Sequence, residues 1–165
     1  MREQAKRLLH LGTGELAAGL VLAFLFSTLG NRWSLGLASA CGLVFLVFLL
    51  MQGGMYWLIR YKDLKRKKSP GKKTVQVFAG LRNINLLLAA TVWIGIIGFF
   101  ENSADLIFGI LLYLFAVIEY INYYEFRLSY GASGFNLFEL RNQGLKRSSL
   151  HRLIRNKKRK RRRSR

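Results

Sequence analysis

"SLGLASACGLVFLVFLLMQGGMYWLI", residues 34–59, decides the fold class of this chain. It contains no charged side chain, and a helix needs about 20 mainly apolar residues to cross the hydrocarbon of a bilayer. Tyr56 and Trp57 lie near its end, where an aromatic belt is expected at the membrane–water interface. The stretch therefore predicts a transmembrane helix with some tilt.

Three other apolar blocks predict further spans at about residues 14–33, 77–100 and 105–124. The first is the shortest, since Leu16–Leu29 would rise only about 21 Å as a helix against a hydrocarbon core of about 30 Å. Extension to Trp33 gives about 27 Å and places an aromatic anchor at the interface. A re-entrant first segment, which would leave three spans, is the alternative.

The 27 Lys and Arg residues are segregated from the apolar blocks, although apolar residues make up 52% of the chain. Eight lie in loop 60–76, three at the N-terminus and fourteen after Glu125, whereas the two opposite loops have only Arg32 between them. Cytoplasmic loops carry an excess of Lys and Arg because these charges are not readily translocated. We therefore predict that both termini and loop 60–76 face the cytoplasm.

The predicted fold is an all-α integral membrane protein. Residues 1–131 form a bundle of four transmembrane helices, and residues 132–165 form a basic cytoplasmic tail. The layout is similar to that of small four-span proteins of bacterial plasma membranes, so we expect a plasma-membrane location. Small residues four apart, such as Ala38 with Gly42, favour close helix packing inside the subunit or in a homodimer.

Residues suited to catalysis or metal binding are scarce. Cys41 is the single cysteine, and the two histidines, His10 and His151, lie far apart in the chain. The sequence has no CxxC, no HExxH and no glycine-rich phosphate-binding motif. We predict no cofactor, no metal and no catalytic residue, which disfavours an enzyme.

The last turns of the fourth apolar block carry unusually many polar residues, "EYINYYEFRLSYG" at 119–131. Counted from Asp105, Glu119 lies about 21 Å along a helix, inside the hydrocarbon. The short turn "ENSAD" makes the third and fourth helices antiparallel neighbours, so polar residues of the third helix reach nearly the same depth. The sequence predicts an intramembrane polar cluster of Arg82, Asn85, Glu119, Asn122 and Glu125.

Glu119 has two interpretations. A carboxylate in hydrocarbon is costly unless it is paired, so a structural role would pair it with Arg82 or Asn85. An intramembrane acid is also a functional hypothesis by default, and here the function would be a proton or cation site. Glu125 and the neighbouring tyrosines are equally consistent with ordinary residues at headgroup level.

The C-terminal tail is basic, and residues 135–155 have an amphipathic pattern that favours a helix on the inner leaflet. We expect the tail to contact anionic lipid headgroups, at about 1 kcal/mol for each basic residue near the surface. Non-specific binding to nucleic acid or the ribosome and a simple topology anchor are the alternatives, and no sequence feature supports specific nucleic-acid recognition. The candidate lipid contacts are Lys157, Lys158, Arg159, Lys160, Arg161, Arg162 and Arg163.

These features favour a small multi-pass membrane protein that is not an enzyme and acts as an accessory, scaffold or interaction protein. Its expected partners are the bilayer and either a second copy or another membrane protein. An oligomeric transporter or channel that uses Glu119 as a proton or ion site is the alternative. A membrane enzyme that modifies lipid, with Glu119 as acid or base, is the third hypothesis.

Overall fold

The computed structural model describes residues 2–67 and 71–126, together with Ser148, Leu150 and Arg155. The described elements, in chain order, are α1 (Arg2–Leu29), a 3₁₀ turn (Asn31–Trp33), α2 (Leu37–Lys65), α3 (Lys72–Phe99) and α4 (Ser103–Tyr124). The prediction of an all-α fold is confirmed. Each of these four helices is long and apolar enough to cross a membrane.

The first helix differs most from its predicted span. It begins at Arg2, well before residue 14, and ends at Leu29, before Trp33. Its 28 residues correspond to a rise of about 42 Å, which exceeds the thickness of the hydrocarbon core. The amphipathic N-terminal turns and the apolar block therefore form one continuous helix.

The chain divides into two compact units. The first comprises Met1–Pro70 and Leu86–Val117, and the second comprises Gly71–Asn85 and Ile118–Arg165. The first unit therefore contains α1, α2, the C-terminal part of α3 and the N-terminal part of α4. The second unit contains the other parts of α3 and α4.

Helix α2 forms the core of the first unit. In its most apolar 18-residue window 61% of the residues are buried, against 11% in the corresponding window of α1. Its inward-facing side chains include Ala38, Phe45, Leu46, Leu49 and Leu50, all almost fully buried. Neighbouring helices cover α2. Burial within the protein therefore accounts for the absence of charged residues from positions 37–59, in addition to the apolar length that a membrane span requires.

Glycines let the helices of the first unit approach closely. A Cβ atom at Gly42 would lie 2.7 Å from the carbonyl oxygen of Gly109, so α2 and α4 meet with no room for a side chain. A Cβ atom at Gly54 would lie 3.0 Å from the carbonyl oxygen of Gly12, where α1 crosses α2. Gly42 belongs to a predicted small-residue pair, and its packing partner lies within the same chain.

The second unit has its own small core. Val75 and Phe78 of α3 and Tyr123 and Tyr124 of α4 are buried. The rings of Tyr120 and Tyr124 stack with centroids 5.2 Å apart. This core lies at the residues for which the sequence predicts the polar cluster.

Candidate functional site

An ion pair joins α3 to the end of α4 in the second unit. The Nη2 atom of Arg82 lies 2.5 Å from Oε1 of Glu125, and each side chain is about one-third exposed or less. The guanidinium of Arg82 also lies close to the hydroxyl of Tyr120. A charge-assisted hydrogen bond of this kind is stronger than a neutral one, so the guanidinium fixes the register of the two helix segments.

A second polar contact in the same unit is fully buried. The side chain of Asn85 is 0% exposed and that of Tyr124 is 1% exposed. The two side chains share a hydrogen bond. A buried amide or phenol without a partner would cost about 1–3 kcal/mol, so this bond makes the burial of both groups tolerable.

Glu119 and Asn122 form the third contact. The Nδ2 atom of Asn122 donates to Oε2 of Glu119 over 3.3 Å, within helix α4. Residues three apart lie on neighbouring positions of one helix face, so this bond follows from local geometry.

The five residues of the predicted cluster therefore all lie in the second unit, but the pairing differs from the one expected for Glu119. Arg82 pairs with Glu125, and Asn85 bonds Tyr124. The two carboxylates differ in their position along the axis of α4. Glu125 lies about 9 Å beyond Glu119 in the direction of the helix end, and there it meets the guanidinium of Arg82. Spacing alone could not distinguish these two carboxylates as partners.

The described residues of the tail return to the end of α4. The backbone N–H of Ser148 donates to the carbonyl oxygen of Glu125 over 2.9 Å, and the side chains of Ser148 and Leu150 are almost fully buried. The predicted lipid contacts at residues 157–163 and most of the amphipathic stretch 135–155 lie outside the described residues.

A carboxylate that the sequence analysis did not single out is the most heavily hydrogen-bonded side chain described in the first unit. Asp105 is 0% exposed. Its Oδ1 accepts hydrogen bonds from the backbone N–H groups of Gly36 (2.7 Å) and Ser39 (2.9 Å) and from the hydroxyl of Ser39 (2.5 Å). Its Oδ2 accepts from the backbone N–H groups of Ala38 (3.2 Å) and Glu101 (3.4 Å).

These bonds make Asp105 the N-terminal cap of α2. The first four N–H groups of a helix have no partner within it, and the capping position of α2 is Gly36, which has no side chain to supply one. Asp105 supplies both oxygens from another helix. A Cβ atom at position 36 would lie 3.0 Å from Oδ2 of Asp105, so the glycine also makes room for the carboxylate.

The start of α4 has a separate cap, which leaves the Asp105 carboxylate available. The side-chain oxygen of Asn102 accepts the backbone N–H of Asp105 over 2.9 Å, and its Nδ2 donates to the carbonyl oxygen of Ser34 over 2.8 Å. The two loops that precede α2 and α4 are thus joined to each other. An asparagine three residues before an acid is a recognisable helix start, but that rule assigns the acid to its own helix.

A further polar contact joins α1 to α2. The indole N–H of Trp57 donates to Oε1 of Glu15 over 3.0 Å. The sequence predicts Trp57 as an interface anchor. In the structure its indole also provides a hydrogen-bond donor for a carboxylate on the neighbouring helix. Except for the Glu119–Asn122 bond within α4, these polar side chains stabilise contacts between helices.

In the described part of the chain, the potential metal ligands are scattered and do not form a cluster. Among residues 2–67 and 71–126, no group of three His, Cys, Asp or Glu side chains is placed to hold a metal ion. Comparisons with protein-family models, curated proteins and solved structures found no match.

Replacing Asp105 with Asn tests its role as the cap of α2. The backbone N–H groups of Gly36, Ala38 and Ser39 would share one neutral amide oxygen in place of two carboxylate oxygens, so we expect the free energy of unfolding in detergent to fall by about 3 kcal/mol. Hydrogen exchange should accelerate at the amides of Ala38 and Ser39. The control is Glu101→Gln, an exposed acid in the same loop, which should change stability by less than about 0.5 kcal/mol. Equal losses in the two variants would contradict the capping role.

A double-mutant cycle on Arg82→Gln and Glu125→Gln tests the ion pair. We expect a coupling energy of about 1 kcal/mol, because the pair is close and only partly exposed. The matched cycle on Arg82→Gln and Glu119→Gln should give a coupling near zero. A larger coupling with Glu119 would show that the guanidinium pairs with the other carboxylate in solution.

Proposed function

We propose that this chain is a non-enzymatic integral membrane protein that crosses the plasma membrane four times and acts as an accessory, scaffold or interaction protein. Both termini and the loop between α2 and α3 face the cytoplasm. The basic tail contacts anionic lipid headgroups of the inner leaflet.

The apolar surface of the helices carries this proposal. In the most apolar windows of α1, α3 and α4, only 11%, 11% and 17% of residues are buried, so most of these residues keep part of their surface accessible. Leu20, Leu87 and Ile94 are each at least 70% exposed. Water-soluble monomers rarely expose continuous apolar surface above a few hundred Å², and lipid is the surrounding that matches such helices.

The distribution of charge supports the proposed orientation. The connection from α2 to α3 and both chain ends are rich in Lys and Arg, whereas the connections before α2 and before α4 contain one base, Arg32, and one acid, Glu101. The carboxylate of Asp105, in the first turn of α4, caps α2. Asn102 joins the connection before α4 to the connection before α2 through its bond to Ser34.

The partners of the polar side chains favour an accessory role over catalysis or transport. Arg82 pairs with Glu125, Asn85 bonds Tyr124 and Asp105 caps α2, so each of these groups stabilises a helix contact. A catalytic or transport residue needs access to a substrate or ion, and these bonds occupy the groups that would provide it.

Lipid contact by the tail is tested with a peptide of residues 132–165. We expect it to bind vesicles of phosphatidylglycerol and phosphatidylcholine. Binding should weaken as salt is raised from 50 to 500 mM, because added salt shortens the distance over which charges attract to about 10 Å or less. Sedimentation of the vesicles gives the bound fraction. A peptide with residues 157–163 changed to Gln is the control. Equal binding to vesicles of pure phosphatidylcholine would overturn the proposal for the tail.

Transport through an oligomer is the second candidate, and one contact favours it. The described hydrogen-bond partner of Glu119 is the neutral amide of Asn122, while the cation Arg82 is paired with Glu125. Glu119 therefore has no cationic partner among the described residues, which leaves its carboxylate able to contact a translocated ion.

Proton flux into proteoliposomes separates the two functions. The accessory function predicts the same flux for the wild type, for Glu119→Gln and for empty vesicles under an imposed pH gradient. A flux that the wild type supports and Glu119→Gln abolishes, with unchanged thermal stability, would establish transport instead. Glu125→Gln serves as the control for loss of a nearby carboxylate.

A further inference from the structure

A cavity lies in the first unit where α1 begins and α2 ends. Its volume is about 230 Å³. Both helices contribute to its wall, and the N-terminal turn of α1 faces the C-terminal turn of α2. The lining residues are Arg2, Ala5, Tyr61, Leu64, Lys65 and Lys67.

The wall is almost entirely apolar, made by Ala5, Leu64, the ring of Tyr61 and the aliphatic parts of three cationic side chains, and no acid contributes to it. Arg2, Lys65 and Lys67 are exposed, so their charged groups can reach a ligand in the mouth of the cavity. The Nζ atom of Lys65 lies over the ring of Tyr61, 5.8 Å from its centroid, which holds this cation at the cavity wall. Such a lining is complementary to an anion attached to a short apolar group.

The backbone at Lys67 has the conformation of a helix C-terminus. Its φ angle is 53°, in the left-handed region. Helix α2 ends at Lys65, and Lys67 occupies the position just beyond the cap, where glycine is preferred because other residues are strained there. The backbone N–H of Lys67 donates to the carbonyl oxygen of Leu64 over 3.1 Å, so this conformation ends the helix, and it places a cation at the edge of the cavity.

We propose that this cavity binds the phosphate headgroup of one anionic phospholipid. Arg2, Lys65 and Lys67 neutralise the phosphate, while the glycerol contacts Leu64 and the ring of Tyr61. The inference rests on the proposed function, because a phospholipid is supplied at this site only if the helices cross a membrane.

The volume of the cavity limits how much of the lipid it holds. Pockets for drug-sized ligands measure about 300–1,000 Å³, so 230 Å³ suits a headgroup and not a whole phospholipid. The acyl chains therefore remain in the bilayer. A free phosphate ion has the same charge chemistry but would leave the apolar wall without a contact, which favours the lipid as the source of the phosphate.

The position of the cations along α2 provides a matched control. Lys65 and Lys67 line the cavity, whereas Lys62 and Arg66 are exposed on the same turns and do not line it. Two double variants, Lys65→Gln with Lys67→Gln and Lys62→Gln with Arg66→Gln, therefore remove the same charge from the same segment. Both retain the whole basic tail.

Native mass spectrometry of the full chain in detergent, titrated with phosphatidylglycerol, measures the affinity of the first bound lipid. We expect the Lys65 and Lys67 double variant to bind it about 30-fold more weakly and the Lys62 and Arg66 double variant to lose less than about threefold. Equal losses would mean that lipid binds diffusely to all basic residues, which would overturn the proposal. Displacement of the lipid by an equal concentration of inorganic phosphate would assign the cavity to a soluble anion and would also overturn it.

Lys67→Gly separates ligand binding from a structural role. Glycine relieves the left-handed strain, so thermal stability should stay the same or rise, while lipid affinity should fall about fivefold. A variant that loses stability but keeps its lipid affinity would contradict the proposal.

The membrane assignment has a separate readout. All variants should leave the membrane fraction only with detergent, and release by salt or alkali would instead refute the proposed function.

Discussion

The carboxylate of Asp105 is the constraint on which the first unit depends. Helix α2 forms the core of that unit, and its first turn is buried, so its free N–H groups need acceptors away from water. Gly36 cannot provide them, and Asp105 provides them from the start of α4. One side chain therefore fixes where α2 begins and how its first turn lies against α4.

The close approach of the helices follows from the same contact. Gly36 leaves space for the carboxylate, and Gly42 and Gly109 let α2 and α4 meet backbone to backbone in the following turn. A larger residue at any of these positions would separate the helices and draw the carboxylate away from the amides it caps. Capping and packing thus require the same small residues.

The polar residues of the second unit follow a related principle. Arg82, Asn85 and Glu119 lie on largely apolar helices, and each has a polar partner in the same unit. Stabilising a helix contact satisfies the polar group and specifies the register of the contact. Lipid binding is instead proposed from the exposed cations that line the cavity, Arg2, Lys65 and Lys67.

The sequence alone determined the helical class, the four apolar segments and the segregation of basic residues, because these depend on composition and on the length of apolar runs. It also identified five of the polar residues of the second unit, since position along a helix follows from counting residues. The tertiary structure decided which of them pair. Arg82 selects Glu125 over Glu119, and Asp105 serves a helix more than sixty residues earlier in the chain. Hydrogen bonds and ion pairs form over about 3 Å, and the relative register of two helices is set by packing that no local pattern encodes.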